Sequence, residues 1–350
     1  MQNDSENTSE TRALLQCDQT AVYRIRWMLI CSFMVMLSTV VICISMESVY
    51  MRWLANLGAW SVGVGETVPL AGPPKVSSTW FPPDQRTSAT SLIAFCDYMG
   101  VAVSFILDGG LGVLLFVMLL MYFPAQPPRP PSPSAATERT QWISGLRALV
   151  RNRAYWLVVV ACSTPAGILG VWQSVLNINL SSRGISQKTA GYLGFYQTVA
   201  GCIAGLLVGW FSDMFMKRMR ITLIVLFTGA SMATAWFTLI CEKIIPLNYP
   251  SLYISCILIG VFINGGIPLF YEVACEASFP VGEGVAGGVL TLVNILVGVL
   301  FLAVLFAKNI SYDWMNWVLL GSSMLALPLL LCFPERYNRT DLDIAPPHTT

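Results

Sequence analysis

Charged residues are scarce in this chain. Only 11% of its 350 residues are Asp, Glu, Lys or Arg, whereas 55% are hydrophobic; soluble domains usually carry about 25% charged residues. A soluble core of this length could not bury so much apolar surface, so the composition predicts a protein embedded in lipid. The net charge is +1, which gives no basic field for nucleic acid, and we expect no nucleic-acid partner.

Residues that carry metal or nucleophilic chemistry are also scarce. The single histidine, His348, lies near the C-terminus, which argues against a histidine-based metal site in the membrane and against a Ser/His or Cys/His nucleophilic pair. The 10 cysteines are scattered and form no CxxC pair, as expected for small packing residues. The sequence also has no phosphate-binding P-loop. It therefore predicts a protein that is not an enzyme and has no metal or cofactor.

Long apolar runs fill most of the chain. A transmembrane helix needs about 20 mostly apolar residues. Besides the seven charge-free windows given at the end of this paragraph, three spans are predicted in the less regular segment 53–123. The apolar runs of that segment contain Glu66, Asp97 and several prolines. The sequence thus predicts an all-α membrane protein with about ten spans. Its seven charge-free windows are 27–46, 154–182, 189–212, 221–241, 244–271, 284–307 and 314–334.

A polar linker separates the predicted spans into two groups. Residues 124–153 begin with a Pro/Ser-rich stretch that cannot pack as a helix and end in a segment suited to a short amphipathic helix. The predicted order is a tail at 1–26, an incomplete N-terminal half of about four spans at 27–123, this linker, a six-helix half at 154–334 and a tail at 335–350. With the N-terminus in the cytosol and ten spans, the segments on the cytosolic side carry 15 of the 20 Lys and Arg residues. This excess of positive charge predicts that both tails and the linker are cytosolic.

One short loop carries a distinctive pattern. Asp213 follows Gly209 by four residues, and the basic residues Lys217, Arg218 and Arg220 come next. The pattern resembles the loop signature of the major facilitator superfamily, whose fold places two six-helix halves around a midplane binding site. The resemblance implies that the aspartate locks one conformer by contacting a neighbouring helix end. We therefore predict a conformational gate in this loop.

Five other segments resemble solute carrier family 49 within that superfamily. Members of that family have twelve spans, whereas the first span here leads, near residue 52, almost directly into what resembles the fourth. The resemblance implies a major facilitator-like bundle that lacks its second and third spans, and transport of a vitamin-, amine- or haem-like solute. The segments are 77–91, 122–136, 231–240, 251–273 and 279–300.

The N-terminal tail carries a sorting pattern. Glu10 stands four residues before the pair Leu14-Leu15, which fits an acidic dileucine motif of the kind that clathrin adaptors bind on exposed, flexible tails. In the branch of the family that the chain resembles most, a motif at this place directs the protein to lysosomes. The resemblance thus implies a lysosomal membrane location and a clathrin-adaptor partner, besides the lipid bilayer and a small solute.

Polar side chains inside predicted spans are candidates for a solute or proton pathway, because such groups are costly in lipid. Burial raises the pKa of a carboxyl group, so Glu66 and Asp97 are candidate proton carriers; a wet or interfacial position in the shortened region is the alternative for Glu66. Hydrogen bonds between helices are the alternative for the candidate solute-binding amides. These amides are Gln173, Asn177, Gln197, Asn264 and Asn294.

Two further groups of residues lie near predicted helix ends. Asn179 and Asn309 begin N-x-S sequons at non-cytosolic ends and are candidate glycosylation sites. Glu272, Glu276 and Glu283 fall in a predicted cytosolic loop without Lys or Arg. That loop is either solvated or in contact with the basic residues of the gate loop.

Together these features predict a secondary transporter. It would move a small organic solute across the lysosomal membrane by alternating access and draw its energy from a gradient, with protons as the candidate coupling ion. The alternative is a truncated family member that does not transport and acts as a binding or regulatory membrane protein.

Overall fold

The structure is a computed structural model. Contacts divide the chain into two units, Met1–Ala71 with Met99–Pro130 and Gly72–Tyr98 with Pro131–Thr350. Each unit is described by itself. The described residues are 30–31, 33–34, 37, 48–66, 71–104, 132, 140, 142–181, 183–214, 217–305 and 312–344.

In the first unit the long described helix is α1, Ser48–Gly65. Its last turn is extended by one hydrogen bond, from the Glu66 amide to the Val62 carbonyl, at 2.8 Å. Glu66 is exposed in the turn that follows. The prediction that Glu66 lies in the middle of a span is therefore wrong, because α1 ends one residue before it.

The second unit begins with two helices that precede the linker in the chain. Helix α2 is Pro73–Trp80 and starts with two prolines, whose fixed φ suits the first helical turn. A 3₁₀ turn at Pro83–Gln85 leads into α3, Arg86–Ser104, whose residues beyond Tyr98 belong to the first unit. The single span predicted from residue 53 to 76 is therefore interrupted: α1 ends at Gly65 and a new helix begins at Pro73.

After the linker, the described residues include six helices long and apolar enough to cross a membrane, and these coincide with the six consecutive spans predicted there. This confirms the helical membrane fold of the C-terminal part. Among the described residues, the other helices that follow α3 are short: α4, Trp142–Arg151, α6, Leu176–Ser181, and α12, Asn338–Ile344. The long ones are α5, Arg153–Ser174, α7, Gln187–Met214, α8, Met219–Cys241, α9, Tyr249–Ser278, α10, Glu283–Leu305, and α11, Trp314–Cys332.

Successive long helices run in opposite directions, so their ends form two sets. We call the end at which α5, α8 and α10 begin the linker end, and the opposite one the far end. Buried apolar clusters fill both, with Tyr155, Phe227 and Phe270 near the linker end and Trp172 and Phe237 near the far end. The bundle therefore has a buried apolar cluster at each end.

Small residues allow the long helices to approach closely. A Cβ atom added to Gly260 of α9 would lie 2.3 Å from the Gln197 carbonyl oxygen of α7, and one added to Gly167 of α5 would lie 2.4 Å from the Asn294 carbonyl oxygen of α10. Close backbone contact at small residues is the usual way in which helices pack inside a membrane. The positions of Gln197 and Asn294 are fixed by these crossings.

Candidate functional site

The carboxylate of Asp213 binds the beginning of another helix. It lies half-buried in the last turn of α7 and accepts hydrogen bonds from the backbone amides of Thr87, at 3.1 Å, and Ser88, at 2.7 Å. Both amides belong to the first turn of α3, where N–H groups have no partner within the helix. A negative charge is stabilised there by the helix dipole. Asp213 thus joins a helix that follows the linker in the chain to one that precedes it.

Gly209 lies one turn before Asp213 and brings the same two helices into contact. A Cβ atom at Gly209 would lie 2.0 Å from Ser91 Oγ and 3.0 Å from the Thr87 carbonyl oxygen, so α7 can meet α3 only where the side chain is absent. Residues four apart share a helix face, which explains why the Gly and the Asp act on one partner. The structure therefore places this part of the predicted gate loop at a neighbouring helix end; its gating role stays a prediction.

The basic residues of the same loop make different contacts. Lys217 adopts a left-handed φ of 71° and its Nζ lies 2.6 Å from a carboxylate oxygen of Asp341 in α12. Arg220 donates from Nε to the Leu330 carbonyl oxygen at 3.0 Å, and it thereby caps the end of α11. Arg218 is exposed. Within the described residues, only Gly209 and Asp213 of the predicted gate loop reach α3.

A buried ion network lies at the linker end of α9. Glu272 and Glu276 are 3% and 2% exposed, and both pair with the guanidinium of Arg339 in α12. Thr340 adds a hydrogen bond from Oγ1 to Glu276 at 2.6 Å. Neither alternative predicted for these two glutamates holds: they are buried within α9, which continues to Ser278, and their cation comes from the C-terminal segment.

The surroundings of Arg339 favour the charged form of its guanidinium. Burial alone lowers the pKa of the Arg339 guanidinium, but the carboxylates of Glu272 and Glu276 raise it, and the net pKa lies above its ordinary value. Removing one partner of such a group would leave a buried charge without compensation, which is far more costly than losing an exposed pair. The network therefore holds α12 firmly against α9.

Two more ion pairs connect the elements before the linker to those after it. Arg86, at the start of α3, pairs with Asp343 of α12 at 2.9 Å, and both side chains are buried. Lys75 of α2 pairs with Glu283, the first residue of α10, at 3.2 Å. Helix α12 is thus tied to α9 and to α3 at once. Together with the Asp213 contact, these pairs form what we call the linker-end closure.

Sequence reasoning did not identify the cations of this closure. Lys75 lies in the last turn of a predicted span and Arg86 and Arg339 stand beside predicted spans, where cations are common, and their sequence context does not indicate burial. The signal available was the run of acidic residues near the end of α9, which needs counter-charges if it is buried. The partners could not be chosen, because Glu272 and Arg339 are 67 positions apart.

The predicted polar pathway residues are partly brought together. Gln197 of α7 is fully buried, its Oε1 lies 3.6 Å from Cys256 Sγ, and its Nε2 has no hydrogen-bond partner among the described residues. Next to it, Thr198 accepts a hydrogen bond from Gln173 Nε2 at 3.1 Å. Asn264 of α9 is half-buried against Gly201, one turn further along α7. Gln173, Gln197 and Asn264 therefore lie along one stretch of α7.

The remaining pathway candidates lie elsewhere. Asn294 is half-buried at the crossing of α10 with Gly167 of α5. Asn177 is exposed in α6, after α5 has ended at Ser174, so it does not share a helix face with Gln173. Asp97 lies within α3, and its side chain is outside the described part of the structure.

The two sequons have different outcomes. Asn179 is fully buried, donates from Nδ2 to Asn316 Oδ1 at 2.7 Å and accepts from Arg183 at 2.8 Å. An amide held in the interior in this way cannot receive a glycan in the folded protein, and the structure argues against this predicted site. Asn309 and the sorting residues Glu10, Leu14 and Leu15 lie outside the described residues.

Comparison with known proteins defines the class. The family model described as "Major Facilitator Superfamily" matches residues 20–301. "Solute carrier family 49 member 4 homolog" of Xenopus laevis is 34% identical over 342 residues, which covers 86% of this chain and 75% of the relative. The chain belongs to the major facilitator superfamily and, within it, to solute carrier family 49. The predicted family is thereby confirmed.

More distant similarities agree with this class. "Choline/ethanolamine transporter FLVCR2" of Rattus norvegicus is 25% identical over 271 residues, covering 68% of this chain and 48% of that protein. The crystal structure of the E. coli fucose:proton symporter FucP has a TM-score of 0.67 at 11% identity, covering 89% of this chain and 84% of the symporter chain. At this identity, the similarity to the symporter shows the fold of this chain and nothing more.

The alignment with the Xenopus laevis relative also bears on the shortened first half. It extends over 342 residues, yet 86% of this 350-residue chain is about 300 residues, so about 40 aligned residues of the relative have no counterpart here. A membrane-spanning helix takes about 20 residues. The difference is comparable in length to two spans, and the absence of the second and third helices stays a prediction.

Proposed function

We propose that this protein is a secondary transporter that moves a small organic solute across the lysosomal membrane by alternating access. The observation that carries the proposal is the hydrogen-bonded contact between Asp213 and the first turn of α3. It joins elements from the two sides of the linker at one end of the bundle, where an alternating-access protein must close and reopen. The positive-inside pattern of the sequence supports a cytosolic position for this end.

The strength of the contact suits a gate. Two hydrogen bonds from backbone amides to a half-buried carboxylate resemble a helix N-cap, which is worth about 0.5–2 kcal/mol. Such an energy shifts a two-state equilibrium several-fold but does not fix it permanently. The Asp213 contact can therefore break when a solute binds one conformer better than the other.

The proposed solute is a small amine-like or vitamin-like molecule, and haem-like compounds are a third candidate class of solute. The name of the rat relative, a choline/ethanolamine transporter, supports an amine. Gln197 and Asn264 are the proposed polar contacts, and Asp97 remains a proposed proton carrier. The exposed turn position of Glu66 makes it a weaker one. The dileucine pattern at Glu10, Leu14 and Leu15 supports adaptor binding and the lysosomal location.

The direct test is uptake by vesicles that contain the purified protein. Choline, ethanolamine, vitamin B6 compounds and haem are offered with and without a pH gradient. We expect flux of at least one solute above protein-free vesicles, increased by the gradient. Absence of flux for the whole panel, with an intact helical fold by circular dichroism, would contradict transport and favour the non-transporting alternative.

Replacing Asp213 with alanine is expected to open the linker-end closure. The loss of two charge-assisted hydrogen bonds removes about 1–2 kcal/mol from the closed state, a shift of roughly 5- to 30-fold in its population. The measurement is the alkylation rate of a cysteine placed at the buried position Thr87, in a variant without native cysteines. Asp84→Ala, which removes an exposed carboxylate nearby, is the control; equal rates in the two variants would refute the gate.

Replacing Gln197 with methionine tests the polar pathway. If the side-chain amide binds the solute, losing one hydrogen bond raises KM by about 2- to 10-fold while the protein remains folded. Thr234→Val removes a buried hydroxyl on α8 whose bond stays within its own helix, and it should leave KM unchanged. A Gln197→Met variant with unaltered KM and a higher melting temperature would assign Gln197 to packing.

A further inference from the structure

Helix α4 has an exposed apolar face that none of the described residues covers. Gly145 and Leu149 are buried against the helical bundle, where Val281 lies 3.0 Å from the position of a Cβ on Gly145. The neighbouring face of the same helix carries four large apolar side chains that are exposed, including Trp142 at 68% and Val150 at 63%. The other two are Ile143 and Leu146.

The position of α4 in the fold sets the environment of this face. α4 ends at Arg151, and Asn152 alone separates it from α5, the first span after the linker. Asn152 is held on both sides: its Oδ1 accepts from the Tyr155 amide at 3.1 Å, and its Nδ2 donates to the Ala277 carbonyl oxygen at 2.7 Å. The helix is thus fixed at the level where α5 enters its membrane span.

The charges of α4 lie beside the apolar face. Arg147 and Arg151 are exposed and four residues apart, so they share one side of the helix, and the exposed Arg153 follows at the start of α5. The helix itself contains no acidic residue. A helix with an apolar face and a basic edge is the pattern of helices that lie in the headgroup layer of a membrane. Basic residues near a bilayer are attracted to anionic lipids.

We infer that α4 lies in the headgroup layer at the linker end and binds anionic phospholipid, with Trp142 and Val150 in the acyl boundary and Arg147, Arg151 and Arg153 on the phosphates. The occupant of the apolar face is lipid because a span enters the bilayer immediately beside it. The basic edge complements an anionic headgroup. Binding here would anchor the segment that connects the linker to the span α5.

The test uses the full-length protein in vesicles, with its native cysteines replaced. One environment-sensitive fluorophore is attached to a cysteine introduced at Val150. The matched control carries the fluorophore at Ala148, on the opposite side of α4. We expect the Val150 probe to be quenched by brominated phospholipid and protected from aqueous iodide, and the Ala148 probe to behave in the opposite way. Equal iodide quenching at both positions overturns the inference. Protection of the Val150 probe from both quenchers also overturns it, because a protein surface would then cover the face.

The lipid preference is measured with the Val150 probe and a small fraction of brominated lipid. Brominated phosphatidylserine should quench the probe several-fold more than brominated phosphatidylcholine does. The double variant Arg147→Gln with Arg151→Gln should remove this difference, and so should added salt. Lys188→Gln with Lys243→Gln, an equal change of charge at the exposed far end, should preserve it. Equal quenching by the two lipids in the unsubstituted chain would overturn the anionic preference.

Discussion

Replacing Arg339 with methionine is expected to lower the free energy of unfolding by about 3–5 kcal/mol, the cost of leaving buried carboxylates without their counter-charge. Glu272 and Glu276 are almost completely buried and share this guanidinium, so both lose their partner together. A fall in the melting temperature in lipid nanodiscs is the measurement. We also expect α12 to detach, which should make it sensitive to a protease that leaves the native tail intact.

Two control variants separate charge from packing. Arg336→Met removes an exposed cation from the same segment and should change stability by less than about 0.5 kcal/mol. Adding Glu272→Gln and Glu276→Gln to Arg339→Met removes the orphaned charges and should restore much of the lost stability. If the triple variant is no more stable than Arg339→Met alone, the electrostatic explanation is wrong and α12 is held by shape.

Replacing Gly209 with alanine should abolish the closed state at the linker end. The added Cβ would lie 2.9 Å from Ser91 Cβ and 3.0 Å from the Thr87 carbonyl oxygen. The backbone oxygen cannot turn aside, so α7 must move away from α3, and overpacking of this kind costs about 1–3 kcal/mol. Because the same movement separates Asp213 from its two amides, we expect a larger opening than Asp213→Ala alone produces.

The measurement is again the alkylation rate of a cysteine at position 87, together with solute flux. Gly194→Ala is the matched control, since it adds the same methyl group to the same helix at a position with no atom within 4 Å. We expect fast alkylation and little flux in Gly209→Ala, and values close to the unsubstituted chain in Gly194→Ala. Slow alkylation in both variants would mean that the helices can adjust to the methyl group.

The features that the sequence predicted correctly depend on local patterns. The six spans after the linker follow from apolar runs bounded by charges, because the requirement for about 20 apolar residues is met within each run. The Gly209–Asp213 pattern also acts locally, since a spacing of four residues places both on one helix face. What that face meets was indicated only by the family resemblance.

The features that the sequence did not predict depend on contacts between distant segments. Arg86 and Asp343 are 257 positions apart, and their individual neighbourhoods resemble ordinary solvated helix ends. Asn179 has a sequon, yet its burial is set by Asn316 on another helix. Glu66 was placed inside a span because composition alone does not locate the end of α1.

The burial of Arg339 has a consequence for the order of events during synthesis. The ribosome completes Glu272 and Glu276 before it reaches residue 339, so α9 is made before the guanidinium that pairs with its two carboxylates. The two buried ion pairs, and the position of α12 that depends on them, can form only after Arg339 has been translated. A nascent chain that stalls before residue 339 therefore carries two carboxyl groups on α9 without the cation that compensates them in the folded protein.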